Sequence, residues 1–321
     1  MKLRTKIFLI ILLILILLGT LCAITLLRAT TDNDEPRRLN LPEGSSYEAL
    51  CDSLQASSTF RFMAEALGLD NHVRPGSYVV TPHMNELSLV RKLRNGQQDP
   101  IRLTIGKFRT PQQLIEYLNS KLMHNDFDIP IDSFYLIRPN TYEFYWTVTP
   151  EQFMRRMEAE YQQFWKKKGN VLSLTLTPTH SLSLPEIIIL ASIVEEETNN
   201  NAEKPLISSV YLNRLRKSMP LQADPTVKYA VGDFTIRRIL NKHLTAESPF
   251  NTYLHTGLPP APICLPSEAS VDAVLNAPQT EHLYFCASEK MDGTHRFAAT
   301  LAEHQRNAAS FHKVLNSKGI K

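Results

Sequence analysis

The chain has 321 residues, is 43% hydrophobic, and carries a formal net charge of +3 from 35 Lys plus Arg against 32 Asp plus Glu. That apolar content excludes a disordered protein, and the length favours about two folded units. A charge so near balance, with no dense basic stripe interleaved with aromatics, excludes nucleic acid as the partner.

The first six residues, "MKLRTK", precede "IFLIILLILILLGTLCAITLL", which is uncharged from Ile7 to Leu27. At ~1.5 Å per residue this run spans roughly 30 Å, the hydrocarbon thickness of a bilayer. A cleaved secretory signal would have only about 7–15 apolar residues before a small-residue cleavage site. A retained anchor over 7–27 is therefore expected, with 1–6 as a cytoplasmic N-terminus. Lys2, Arg4 and Lys6 precede the run while Arg28, Arg37 and Arg38 follow it, so flanking charge barely selects an orientation. A long C-terminal domain crosses regardless of such charges, which favours an extracytoplasmic body. Cys22 lacks the small residue expected before a lipidated cysteine and reads as packing. Cys51, Cys264 and Cys286 are widely spaced without a C-x-x-C pair, so neither a zinc site, a redox pair nor a disulfide framework is expected.

"RATTDNDEPRR" reads as a linker, residues 28–38. Residues 39–104 then predict a small α+β module. In "PEGSSYEALCDSL", Ser45 or Ser46 caps a helix bearing Tyr47, Leu50 and Leu54 on one face. "RPGSYVV" is a turn into a strand, and "LSLVRKLRNG" an amphipathic helix closed by Asn95-Gly96. "DPIRLTI" is a strand, and "TPQQLIEYLNSKL" a helix capped by Thr110 with Pro111 in its first turn. Tyr142, Phe144, Tyr145 and Trp146 precede another helix beginning near Thr149-Pro150-Glu151; core packing is favoured for them over a carbohydrate-stacking wall.

Ser183-Leu184-Pro185-Glu186 is a capping box that opens a helix. The following "EIIILASIV" is apolar in nearly every direction, so the helix is expected to be buried on most sides, and it ends in Glu195-Glu196-Glu197. Helical phase turns Glu195 and Glu197 towards the flanks of the densest apolar stripe and Glu196 towards solvent. A helix C-terminus, neighbouring carboxylates and partial burial all favour a protonated carboxyl, which is what a general acid requires. The residues alone nevertheless favour the plainer alternative, a charged helix end meeting Lys204 or Arg214. A second helix follows in "AEKPLISSVYLNRLRKSM", then Gln222, Asp224 and Thr226 around an Asp-Pro turn. The Pro-rich loop "SPFNTYLHTGLPPAPICLPS" carries Asn251, Thr252 and Tyr253 on a rigid irregular path. "EHLYFCAS" predicts a strand, and "GTHRFAATLAEHQRN" a turn, a short strand and a helix. No H-x-x-x-H or H-E-x-x-H spacing occurs among the histidines, so no metal or other cofactor is expected, and His295 and His304 read as hydrogen-bonding structural residues.

These segments resemble the YceG-like family of membrane-bound endolytic transglycosylases of bacterial murein. The resemblance rests on "LASIVEEET", "SSVYLNRLRKSMPLQADPTVKYAVG", "FNTYLHTGLPPAPI", "HLYFCAS" and "HRFAATLAEHQRN", with "PEGSSYEAL", "GSY" and "RPNTYEFYW" upstream, in collinear order over residues 40–312. It implies an α+β fold: a single N-terminal transmembrane helix, a LysM-like α+β module (39–104) and an α+β catalytic domain (105–321). It further implies cleavage of MurNAc–GlcNAc bonds within glycan strands to leave 1,6-anhydro ends, as a terminator of glycan elongation. Its partners would be peptidoglycan strands, the bacterial inner membrane and peptidoglycan synthases, although no motif here marks the synthases. Glu195, first glutamate of the I-V-E-x-E-T pattern, is implied as the catalytic acid; Glu197, Gln222, Asp224, Thr226, Asn251, Thr252 and Tyr253 are implied to line the substrate cleft. One carboxyl would protonate the leaving oxygen and then accept the proton of the muramyl C6 hydroxyl, with Asp224 or Glu197 adding negative potential. Phe250, Ala261, Cys264-Leu265 and Gln305 depart from the usual family residues along the cleft rim. The alternative from another class is a non-catalytic murein-binding or division-scaffold protein, which would release no muropeptides.

Overall fold

A computed structural model describes residues 3–28, 30–31, 34–169, 171–236 and 238–317. Helix α1 (Leu3–Arg28) contains an apolar segment, Lys6–Ile24, of mean hydropathy 3.3 with none of it buried against the rest of the protein. It is long and apolar enough to cross a membrane. The chain divides into two compact units. The first is Met1–Leu103 with Lys121–Asn125 and Tyr142–Thr149; the second is Thr104–Ser120, Asp126–Thr141 and Pro150–Lys321.

In the first unit the order is β1 (Arg37–Leu41), α2 (Tyr47–Leu54), α3 (Ser58–Ala66), β2 (Gly76–Val80) and α4 (Glu86–Arg94). Each of these helices has a side-chain cap that accepts a first-turn N–H: Ser46 from Ala49 at 3.1 Å, Ser57 from Phe60 at 2.9 Å and Asn85 from Ser88 at 3.2 Å. The strands pair antiparallel with Leu39 opposite Tyr78. Their inner faces and the three helices enclose a core of Leu50, Phe60, Leu69, Tyr78, Leu89 and Leu93. Helix α3 is an addition to the sequence expectation, although Ser57 caps it and Phe60, Met63 and Ala64 form its buried face. Strand β3 (Ile101–Ile105) pairs with β4 (Asn140–Phe144), and the division between the units runs through both. Tyr142 and Phe144, two apart on β4, are buried as expected, whereas Tyr145, just beyond the strand, is exposed and departs from the expected core packing.

The second unit contains α5 (Pro111–Lys121), a 3-10 turn (Ile131–Leu136), α6 (Pro150–Lys167) and an antiparallel hairpin of β5 (Ser173–Thr177) and β6 (His180–Ser183). Helix α6 buries Phe153, Met157, Tyr161, Phe164 and Trp165 along one face. Next come α7 (Leu184–Glu197), α8 (Lys204–Arg216), α9 (Asp224–Val231), α10 (Asn241–Leu244) and α11 (Glu268–Leu275). Strands β7 (Tyr284–Ala287) and β8 (His295–Ala298) form an antiparallel hairpin, and α12 (Leu301–Ser317) closes the described chain. The segment read as an Asp-Pro turn is instead the start of α9, because Pro225 in a first turn forfeits no helical hydrogen bond.

Helix α7 is the axis of this unit. Its capping box is formed, the Ser183 N–H donating to the Glu186 carboxylate at 2.8 Å. Ile187 to Val194 are all buried, with α8, α9 and α11 packed around them. At about 1.5–3 kcal/mol for each large side chain removed from water, this run anchors the unit and holds the helix's C-terminal end in place.

Candidate active site

The three glutamates leave α7 about 100° apart, and because the helix is surrounded each meets a different set of partners. Glu195 turns towards α8 and α11. One of its oxygens, Oε2, accepts from Ser267 Oγ and Ser270 Oγ at 2.5 Å each and from Lys204 Nζ at 3.0 Å. The Lys204 side chain is only 4% exposed and that of Glu195 14%. Burial works against the Glu195 charge, but the two hydroxyls and the ammonium outweigh it and hold the carboxyl below its ordinary range. Glu196 does not meet solvent as helical phase suggested. Its side chain is also 14% exposed, pairing with Lys107 at 3.1 Å and Arg109 at 3.0 Å. Both cations come from the segment between β3 and α5, a contact that sequence periodicity does not carry.

Glu197 faces a cavity of about 250 Å³ lined also by Gln222, Asp224, Tyr253, Arg214 and His295. Its Oε1 accepts from the Tyr211 hydroxyl at 2.5 Å. Burial is the main influence on its acidity; with the neighbouring Asp224 charge it outweighs the Tyr211 hydrogen bond and pushes the carboxyl up to about 7. Asp224, at the start of α9, accepts from the Tyr253 hydroxyl at 2.7 Å. Gln222 presents its side chain from a left-handed backbone, φ 49°, a conformation uncommon for a residue with a Cβ. Its N–H is held by the Thr252 carbonyl at 3.1 Å.

The expected site residues therefore separate. The structure brings Glu197, Gln222, Asp224 and Tyr253 together in one cavity. Glu195 does not line it: the same carboxylate that would have to give up a proton is committed to four donors, including the Ser267 N–H at 3.3 Å. Thr226, Asn251 and Thr252 are buried behind the cavity and hold the loops. Thr226 and Thr252 bond one another at 2.8 Å, and the Asn251 amide donates to the carbonyls of Leu244 and Ala246 at 2.9 Å. They are scaffold for Gln222 and Tyr253, since buried loop polar groups must be internally satisfied.

Among the cleft residues not anticipated, Tyr211, Arg214 and His295 carry hydrogen-bonding side chains. Tyr211 and Arg214 lie three apart on α8 and so share a face. Arg214 donates to the carbonyls of Leu283 at 2.7 Å and Leu221 at 2.9 Å, holding both walls of the cavity. His295, on β8, lines the cavity while its Nδ1 meets Glu203 Oε2 at 2.9 Å. Tyr211 and Arg214 carried a usable signal, their common helical face beside the glutamates; His295 carried none, because the β7–β8 hairpin is what brings it there.

The profile of the YceG-like family matches residues 39–310. The chain belongs to the YceG-like family. Among relatives of the family, an endolytic murein transglycosylase of Bacillus subtilis is 27% identical over 320 residues, covering 89% of this chain and 88% of that protein. An endolytic murein transglycosylase of Streptococcus pneumoniae is 29% identical over 184 residues, 56% of this chain and 32% of that protein. A crystal structure of a yceG-like protein from Listeria monocytogenes is similar at 27% identity and a TM-score of 0.49, covering 85% of this chain and 99% of that one.

Proposed function

We propose that this protein is a membrane-anchored endolytic murein transglycosylase that cleaves MurNAc–GlcNAc bonds within glycan strands and leaves 1,6-anhydro-MurNAc ends. The observation that carries the proposal is the Glu197 carboxyl, pushed up to about 7 at the floor of a polar cavity, in a chain of this family. A group that still holds its proton near neutral pH can protonate a leaving glycosidic oxygen. The acid is accordingly assigned to Glu197 in place of Glu195, whose proton affinity is driven the other way.

In this mechanism protonated Glu197 donates to the leaving oxygen while positive charge develops at C1. Asp224, beside it, supplies negative potential to the oxocarbenium-like centre. Gln222 and Tyr253 position the sugar from one wall, and Tyr211 fixes the Glu197 carboxyl at the angle required. The muramyl C6 hydroxyl closes on C1, so no water and no second nucleophilic carboxylate enter, in contrast to ordinary glycoside hydrolysis. Helix α1 would anchor the chain in the bacterial inner membrane with both folded units on the extracytoplasmic side, where the strands lie. The β-α-α-β order of the first unit is assigned as the LysM-like glycan-binding module, and termination of nascent strands beside peptidoglycan synthases as the physiological role.

Mass spectrometry of muropeptides released from isolated murein tests the reading. Anhydro ends are expected from the wild type and none from Glu197→Gln. Reducing ends would mean a hydrolase, and no products from the wild type a binding protein.

A further inference from the structure

Closure of the C6 hydroxyl on C1 releases a proton, and the cavity holds a second group built to receive one. The Glu203 carboxylate grips His295 twice, accepting the backbone N–H through Oε1 at 2.8 Å and facing ring Nδ1 through Oε2 at 2.9 Å. Both side chains are largely buried, 12% exposed for Glu203 and 16% for His295. Phe285 meets the imidazole edge-on, with centroids 5.5 Å apart and planes at 88°, so the ring is held from a second direction. With Nδ1 committed to Glu203, Nε2 is the free ring nitrogen among the described residues, and His295 lines the same cavity as Glu197. A carboxylate behind an imidazole that fixes its tautomer and stabilises its charged form is the arrangement by which hydroxyl nucleophiles are deprotonated.

We propose that His295, oriented by Glu203, is the base that takes the proton of the muramyl C6 hydroxyl as it closes on C1; this rests on the transglycosylase reading of the cleft. The C1–O4 bond breaks with its electron pair on O4, which receives the Glu197 proton. The O6–C1 bond forms, and the O6 proton passes to His295 Nε2. Return of that proton to the Glu197 carboxylate through solvent resets the site. Glu203 acts as a positioning residue.

The test uses the full-length chain in detergent micelles on isolated murein, with anhydro-muropeptides quantified over time. His295→Ala is expected to lower kcat by about 100-fold or more with little change in KM, and added imidazole to restore part of the loss. His295→Gln keeps a hydrogen-bonding side chain but cannot accept the proton, so it is expected to be as slow as His295→Ala while melting with the wild type. Glu203→Gln falls between wild type and His295→Ala and is not rescued by imidazole. Near-wild-type kcat in His295→Gln, or a rise in KM alone in His295→Ala without rescue, overturns the proposal and leaves Glu197 performing both proton transfers. An active Glu197→Gln would overturn the assignment of the acid itself, a separate outcome.

Discussion

Glu195 and Glu197 are two residues apart and are driven in opposite directions, which makes their pH behaviour separable. The Glu195 carboxyl is held below its ordinary 4.5, so its contribution to stability is present above pH 4.5 and is lost as pH falls through the depressed folded value. Glu195→Gln keeps the serine contacts but leaves the buried Lys204 ammonium without a counter-charge. We expect a loss of about 3 kcal/mol in denaturant unfolding, with kcat of the folded variant within about twofold of wild type. The Glu197 carboxyl is raised from 4.5 to about 7, so the folded state favours its proton. That contribution is complete below pH 4.5 and is lost as pH rises through about 7. Glu197→Gln should match wild-type stability at pH 4 and exceed it by on the order of 2–3 kcal/mol at pH 8. Wild-type kcat/KM should decline on the alkaline side of about 7. Tyr211→Phe removes a hydrogen bond that favours the charged carboxylate, so this alkaline limb should move to higher pH in a pH–rate profile.

At the scale of elements, α7 behaves as a rod whose beginning is locked by local chemistry and whose end is held by packing. Removing the reciprocal cap with Glu186→Ala should cost about 1 kcal/mol in thermal unfolding without moving the pH–rate profile, because Glu186 lies at the opposite end from Glu197. The helices and strands that the chain announced through local signals were found: the Ser46 cap, the α4 stripe, the Thr110 cap and the capping box at Ser183. Helix α11 was not anticipated although it carries such a signal, Ser267 Oγ accepting from the Ser270 N–H at 3.4 Å. It follows the Pro-rich loop directly and brings Ser267 at its N-cap and Ser270 in its first turn onto Glu195. The plain alternative of a helix end meeting Lys204 is what the structure has for Glu195, although the contact is buried.

At the scale of the molecule, an exposed apolar helix of this length and hydropathy has no stable place in water. Deleting residues 1–28 should move the protein from the membrane pellet to the supernatant on fractionation. Muropeptide release from isolated murein should persist in that truncation, because every residue of the Glu197 cavity lies within the second unit. Retention in the pellet after washing with high salt would show that another surface binds the membrane.

Legible in the chain alone were the apolar run, the α+β mixture, the capped helices, the family, and the three glutamates that end α7. These follow from interactions between residues a few positions apart, where 3.6-residue and two-residue periods act. The different surroundings of the three consecutive glutamates did not follow, because they depend on groups remote in sequence. Ser267, Ser270 and Lys204 lower one carboxyl, Lys107 and Arg109 pair the next, and burial beside Asp224 raises the third. Helical phase names the direction in which each carboxyl points; only the packed fold places cations, hydroxyls or a polar cavity in that direction, and those neighbours set the proton affinity on which acid catalysis depends.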